Sequence, residues 1–257
     1  MISLHFAARL SDLSTLRLRY RPPNCKKRRY FAGTVVEATF VHTDSVETSQ
    51  DADQDDNKSW PGPHSDLLND DPDWWLVACM DWPRDRWIGY VTGYRKAAAL
   101  IVDNVAATGR DQDYLVYPFL MCWRHHIELQ LKSLYLLLHR WHRSSAEPMR
   151  THKIMTLWRK VRPLLKQMDS AEDPEITDVA RILAQLEGFD PSSEHFRYPV
   201  LNDGSDTLET LGRIHLRGFH ETMEDVAHYL DAVDTGLRVM IDDRDDCEND
   251  TALWSGE

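Results

Sequence analysis

The stretch from Asp113 to His142 reads as one helix that is apolar around most of its girth. Phe119, Leu120, Cys122, Trp123, Ile127, Leu129, Leu131, Leu134, Leu136, Leu137, Leu138 and Trp141 cover well over half of the circumference. At about 1.5 Å per residue such a helix spans about 45 Å, long for a globular domain. A helix this apolar has to sit at the centre of a bundle or at an interface, since one flat partner cannot cover it. The expected fold is therefore all-α, an antiparallel helical bundle.

The flanking sequence supplies the partners. Ile88 to Thr108 repeats apolar residues at helical spacing and stops at Gly109, a plausible helix-ending glycine. The turn Ser144-Ser145-Ala146-Glu147-Pro148 ends the long helix, and residues 152–168 form a third, disturbed at Pro163. Asp173-Pro174-Glu175 starts a fourth that runs to Glu187 and ends at Gly188. After a loop from Phe189 to Asp206, a last helix is expected from Leu208 to Met240, with Gly212 and Gly218 as points of interruption. Residues 1–86 look different, with a soft boundary near residue 70. Tyr30 to Val41 is rich in β-branched and aromatic residues and suits a short strand pair, whereas Ser49 to Asp56 and Trp60-Pro61-Gly62-Pro63 suit a linker or disordered loop. The expected organisation is an N-terminal extension over 1–70, a helical domain over 71–241 and an acidic tail over 242–257.

The net charge of −12 argues against non-specific binding to nucleic acid, which needs clustered Lys and Arg. Residues 9–29 are nonetheless basic, and Asp242 to Glu248 is acidic; such ends usually read as solvated tails. Cys25, Cys79, Cys122 and Cys247 form no C-x-x-C pair, so reduced thiols and a cytoplasmic setting are expected. No secretory signal and no membrane-spanning run is visible, and no cofactor or metal is expected.

The long helix carries one polar stripe. With Arg124 at zero, Glu128 falls near about 40°, Lys132 near about 80° and His125 near about 100°. Tyr135, His139 and His142 continue the stripe, while His126 points into the apolar side as a packed core histidine. Three readings stay open. The stripe can be a structural ion ladder, because Glu128 lies one turn from both Arg124 and Lys132. It can be a proton-transfer site, with Arg124 and Lys132 holding an anion such as phosphate beside His125. It can also hold a metal through His125 and Glu128, although no H-E-x-x-H pattern supports that. A second candidate is Phe196-Arg197-Tyr198-Pro199, where Arg197 and Tyr198 could bind substrate by stacking on bases or could cap the core. Trp74, Trp75 and Trp82 fit core or interface packing.

Three segments together carry a resemblance. They are Gly93-Tyr94-Arg95-Lys96-Ala97-Ala98 with Thr108-Gly109-Arg110-Asp111, Tyr117-Pro118-Phe119 running into the R-H-x-x-E-L-x-L-K block from Arg124 to Lys132, and Asp190-Pro191-Ser192-Ser193 with Phe196-Arg197-Tyr198-Pro199. Residues 87–240 resemble a group of bacterial helical proteins of the HEPN superfamily, largely of unassigned function. The resemblance implies a bundle that dimerises and, in many members, a metal-independent endoribonuclease of prokaryotic defence or toxin–antitoxin systems. The family signature pairs an Arg with a His a few residues later, and Arg213-x6-His220 is the match here. In that chemistry His125 or His220 takes the 2′-hydroxyl proton of an RNA substrate, and Arg124, Lys132 or Arg213 stabilises the phosphate. The alternative that the resemblance implies is a non-catalytic scaffold or antitoxin-type module with a protein partner.

Overall fold

A computed structural model of the protein describes residues 67–68, 76–80, 85–168, 174–209 and 211–254. The described residues from Met80 onward belong to one compact unit. The expected strand pair, linker, basic segment and tryptophans Trp74, Trp75 and Trp82 lie outside the described residues. Among the described residues the fold is all-α, with five helices: α1 Arg86–Thr108, α2 Gln112–Trp141, α3 Ile154–Lys166, α4 Pro174–Phe189 and α5 Leu216–Trp254. None is long and apolar enough to cross a membrane.

Local chemistry sets the helix ends. The Asp85 carboxylate accepts the Trp87 N–H at 3.0 Å and caps α1. Gly109, at φ 64°, turns the chain left-handed and returns its N–H to the Val105 carbonyl at 2.8 Å. Pro163 stays inside α3, which continues to Lys166. Gly188 likewise does not end α4, which runs on to Phe189.

The last helix departs most from expectation. It begins at Leu216 rather than Leu208, because the His215 imidazole Nδ1 accepts the Gly218 N–H at 3.0 Å and so caps α5. Leu208 is held at φ 62°, outside helical geometry. At the other end the acidic stretch from Asp242, expected as a tail, continues the helix to Trp254. The end of α2 supports it: Arg140 pairs with Asp245 at 2.8 Å, Arg143 pairs with Glu248, and Arg244 donates to the Trp141 carbonyl at 2.9 Å.

As its composition requires, α2 is the central helix. Phe119, Trp123, Ile127, Leu131, Leu134 and Leu138 are fully buried among α1, α3 and α5. The α1–α2 hairpin is antiparallel, with His126 Nδ1 2.9 Å from the Val91 carbonyl. The segments 143–153 and 190–215 return the chain along the bundle, so α3 and α5 run beside α2 in its own direction. Arg124 meets His152 while His142 meets Leu164, and Gln130 meets Asp231 while Arg140 meets Asp245. The antiparallel α1–α5 pair is tied by Arg95, whose guanidinium engages both Glu224 and Asp231.

Truncating the centre of α2 should be costly. We expect Leu131→Ala, at a fully buried position, to lower unfolding free energy by about 2–5 kcal/mol in urea denaturation, whereas Tyr90→Ala on the exposed face of α1 should change it by about 0.5 kcal/mol or less.

Candidate functional site

The polar stripe closes on itself. Arg124 is 1% exposed and Glu128 is 1% exposed. Arg124 Nη1 donates to Glu128 Oε2 at 3.2 Å, and Nη2 donates to the His152 carbonyl at 2.5 Å. Glu128 Oε1 accepts from Lys132 Nζ at 2.7 Å and lies 2.9 Å from His152 Nδ1. Asp190 Oδ2 stands 3.9 Å from Arg124 Nε, an attraction of charges without a hydrogen bond. One buried cation, Arg124, and one partly buried cation, Lys132, thus face two buried carboxylates. Burial pushes the Glu128 carboxyl up, but the hydrogen bond and charge of Lys132, then His152 and Arg124, hold it below its ordinary value. Its contribution to stability is therefore present at neutral pH and is lost as pH falls through that depressed value.

His125 does not join this set. Its half-buried ring packs edge-on against Tyr94, with centroids 4.5 Å apart. Burial pushes its pKa down; Glu128 opposes this, and Lys132, Arg124 and Arg197 reinforce it. The rest of the stripe is also engaged: Tyr135 meets His139 edge-on at 4.4 Å, and His142 Nε2 lies 3.0 Å from the Leu164 carbonyl. His126, as expected, is a core residue at 1% exposure. A carbonyl can only accept, so His126 Nδ1 carries the proton, and burial is the main cause of its lowered pKa.

The Arg213-x6-His220 pair is split. Arg213 precedes α5, is exposed, and has no hydrogen bond or ion pair among the described residues. His220 lies on α5 with its ring 5.3 Å from that of Trp123 and 6.4 Å from that of Phe119. The His215 cap decides this, since it starts the helix after Arg213 and places the two residues on different kinds of backbone.

Arg213 instead lines a cavity of about 950 Å³ with Arg197 and Tyr198. The start of α2 supplies Gln112, Asp113 and Tyr117, the loop supplies His195 and Phe196, and Asp206 and Glu209 complete the polar lining. The loop is strongly braced. Asp190 Oδ1 accepts the N–H groups of Glu194 at 2.8 Å and His195 at 3.0 Å. Thr207 Oγ1 donates to the Tyr198 carbonyl at 2.7 Å, and Val200 bridges Asp206. Arg197 Nε donates to the Ser193 carbonyl at 2.5 Å, and its guanidinium carbon lies 5.6 Å from the Tyr198 ring centre. Both terminal nitrogens of Arg197 remain without a carboxylate partner among the described residues.

The sequence singles out Arg197, Tyr198 and Arg213 but not that they line one cavity; it names Tyr117 and Asp190 only within the segments that carry the resemblance, and it does not single out His152 or His195. Asp190 was visible as the Asp-Pro that opens a loop; nothing in the sequence marks His152. Among the described residues no three His, Cys, Asp or Glu side chains converge in a way that could hold a metal ion. No family model, no curated protein and no solved structure matches the chain.

Removing Arg124 should leave Glu128 and Asp190 with uncompensated buried charge. We expect Arg124→Ala to cost about 3–5 kcal/mol in urea denaturation, and Arg124→Lys to recover only part of it because an ammonium cannot reach the same partners.

Acid should destabilise the fold through His126. Its pKa is lowered in the fold, so below about pH 6.5 the unfolded chain binds the proton that the folded chain excludes. Stability is full above that pH and falls on acidification, by at most about 1.4 kcal/mol per pH unit for this group, until the pH passes the lowered folded value. Denaturation curves between pH 5 and 7.5 should show a loss of stability on the acid side that is shallower in His126→Asn, by no more than one proton.

Proposed function

We propose that this chain is a HEPN-like helical module that binds rather than cleaves, with the cavity at the start of α2 as its working surface. The observation that carries this reading is the closure of the R-H-x-x-E-L-x-L-K block. Phosphate cleavage by the 2′-hydroxyl route needs a histidine and an unpaired cation at one phosphate. Arg124 and Lys132 are both engaged by Glu128, and His125 turns to Tyr94. A buried, charge-balanced set of this kind acts as a pillar of the bundle. Arg197 and Arg213, which have no carboxylate partner among the described residues, stand at the cavity, whose lining includes neither His125 nor His220. Aromatic rings and pre-set arginines in a concave site suit recognition of an anionic, ring-bearing partner.

The test is direct. Purified protein incubated with mixed RNA, in EDTA and separately with magnesium, should leave the RNA intact. Cleavage that disappears in His125→Ala, His220→Ala or His195→Ala would overturn the reading and favour a ribonuclease.

A further inference from the structure

We infer that the groove between α4 and the start of α5 is a second ligand site, and that it takes a single-chain aliphatic carboxylate of the medium-chain fatty-acid class. The hydrocarbon chain lies on the apolar floor, and the carboxylate meets Arg213 at the rim. Four observations carry this, and none depends on what the larger cavity holds.

The first is the floor. Ile182, Leu186 and Phe189 follow one another at spacings of four and three, which puts them on one side of α4. Phe219 and Met223 do the same on α5, and with Ile214 these side chains line a hollow of about 360 Å³. Leu186 and Met223 are buried, and the other four are half-buried.

The second is size. The volume lies at the low end of sites that enclose small molecules. A partner helix, about 10–12 Å across with its side chains, is too thick to sink into such a hollow, whereas one extended hydrocarbon chain is slender enough.

The third is charge. The sequence has 42 acidic residues against 30 basic ones, yet no carboxylate lines this groove. Its polar members are Gln185, Arg213, His215 and Thr222. Arg213 is exposed and has no carboxylate partner among the described residues, whereas Arg95, Arg124, Arg140, Arg238 and Arg244 each have one. The larger cavity shares Leu211, Arg213 and Ile214 with the groove but adds Asp113, Asp206 and Glu209. A lone guanidinium beside an apolar floor selects an anion with an apolar body and disfavours a cation.

The fourth is the supply of donors. His215 Nδ1 accepts the Gly218 N–H at 3.0 Å, so the neutral ring carries its proton on Nε2 and keeps one donor. Helix α5 begins at the next residue, and its positive end favours an anion on this side of the groove.

Titration calorimetry on the full chain, with sodium octanoate as the probe, tests the inference. Octanoate should bind saturably, at least about tenfold tighter than 1-octanol, while octylammonium should not bind. Hexanoate, which buries two fewer methylenes, should bind about fivefold more weakly or worse. Arg213→Gln should weaken octanoate by about tenfold or more, as expected for a charged hydrogen bond, and should leave octanol unchanged. The position is exposed, so the thermal midpoint should move by no more than about 2 °C. Gln185 is exposed on α4 and lines the groove but not the larger cavity. Gln185→Glu should therefore weaken octanoate by about threefold or more, and Gln185→Lys should tighten it. Arg197→Gln, which alters the larger cavity alone, should leave octanoate binding as it was. The inference is overturned if octanoate does not bind, or if octanol or octylammonium binds as tightly. It is equally overturned if Arg197→Gln weakens octanoate while the Gln185 variants do not, which would place the ligand in the larger cavity.

Discussion

The guanidinium of Arg124, buried among two carboxylates and a backbone carbonyl, is the constraint on which the rest of the structure depends. A charge at that depth is tolerated only if every neighbour answers it. Glu128 answers from the same helix, the His152 carbonyl from the returning segment, and Asp190 from the loop after α4. One side chain thus fixes where three separate stretches of chain lie against α2. Hydrophobic packing explains why these elements collapse together, but it is not directional. The charge set supplies the register.

The sequence made the helices legible because their signals are local. The apolar girth of α2, Gly109 after α1 and Pro174 at the start of α4 all act through neighbouring residues. Where distant residues decide, local reading falls short. His215 sets the start of α5 by a side-chain cap that few helices use, and the run through Asp242 to Trp254 is supported by arginines from α2. The parallel course of α3 and α5 beside α2 follows from long returning segments, whose paths no periodicity records.

The site was legible in kind and not in assembly. Glu128 at one turn from Arg124 and Lys132 allows an ion ladder, one of the three readings open for the stripe, and the structure shows those two ion pairs. What spacing could not reveal was the third and fourth members, His152 and Asp190, which arrive from 24 and 62 residues away from Glu128 in the chain. Nor could it reveal that Arg213, read as the partner of His220, shares a cavity with Arg197 instead. A pairing inferred from helical spacing holds only where the backbone between the two residues is helical.

Asp190 has two oxygens with two separate tasks. One faces the buried Arg124, and the other receives two backbone N–H groups of the loop that carries Arg197 and Tyr198. Beyond that anchor and the buried Phe196 ring, the loop is closed largely on itself through Thr207 and the Val200–Asp206 bridge. Such a loop behaves as a cassette. Its length and its side chains can change between descendants of this chain without rebuilding the bundle, provided the carboxylate at its root is kept. The helical body and the exposed face of this loop are therefore joined chiefly through that carboxylate and the Phe196 ring.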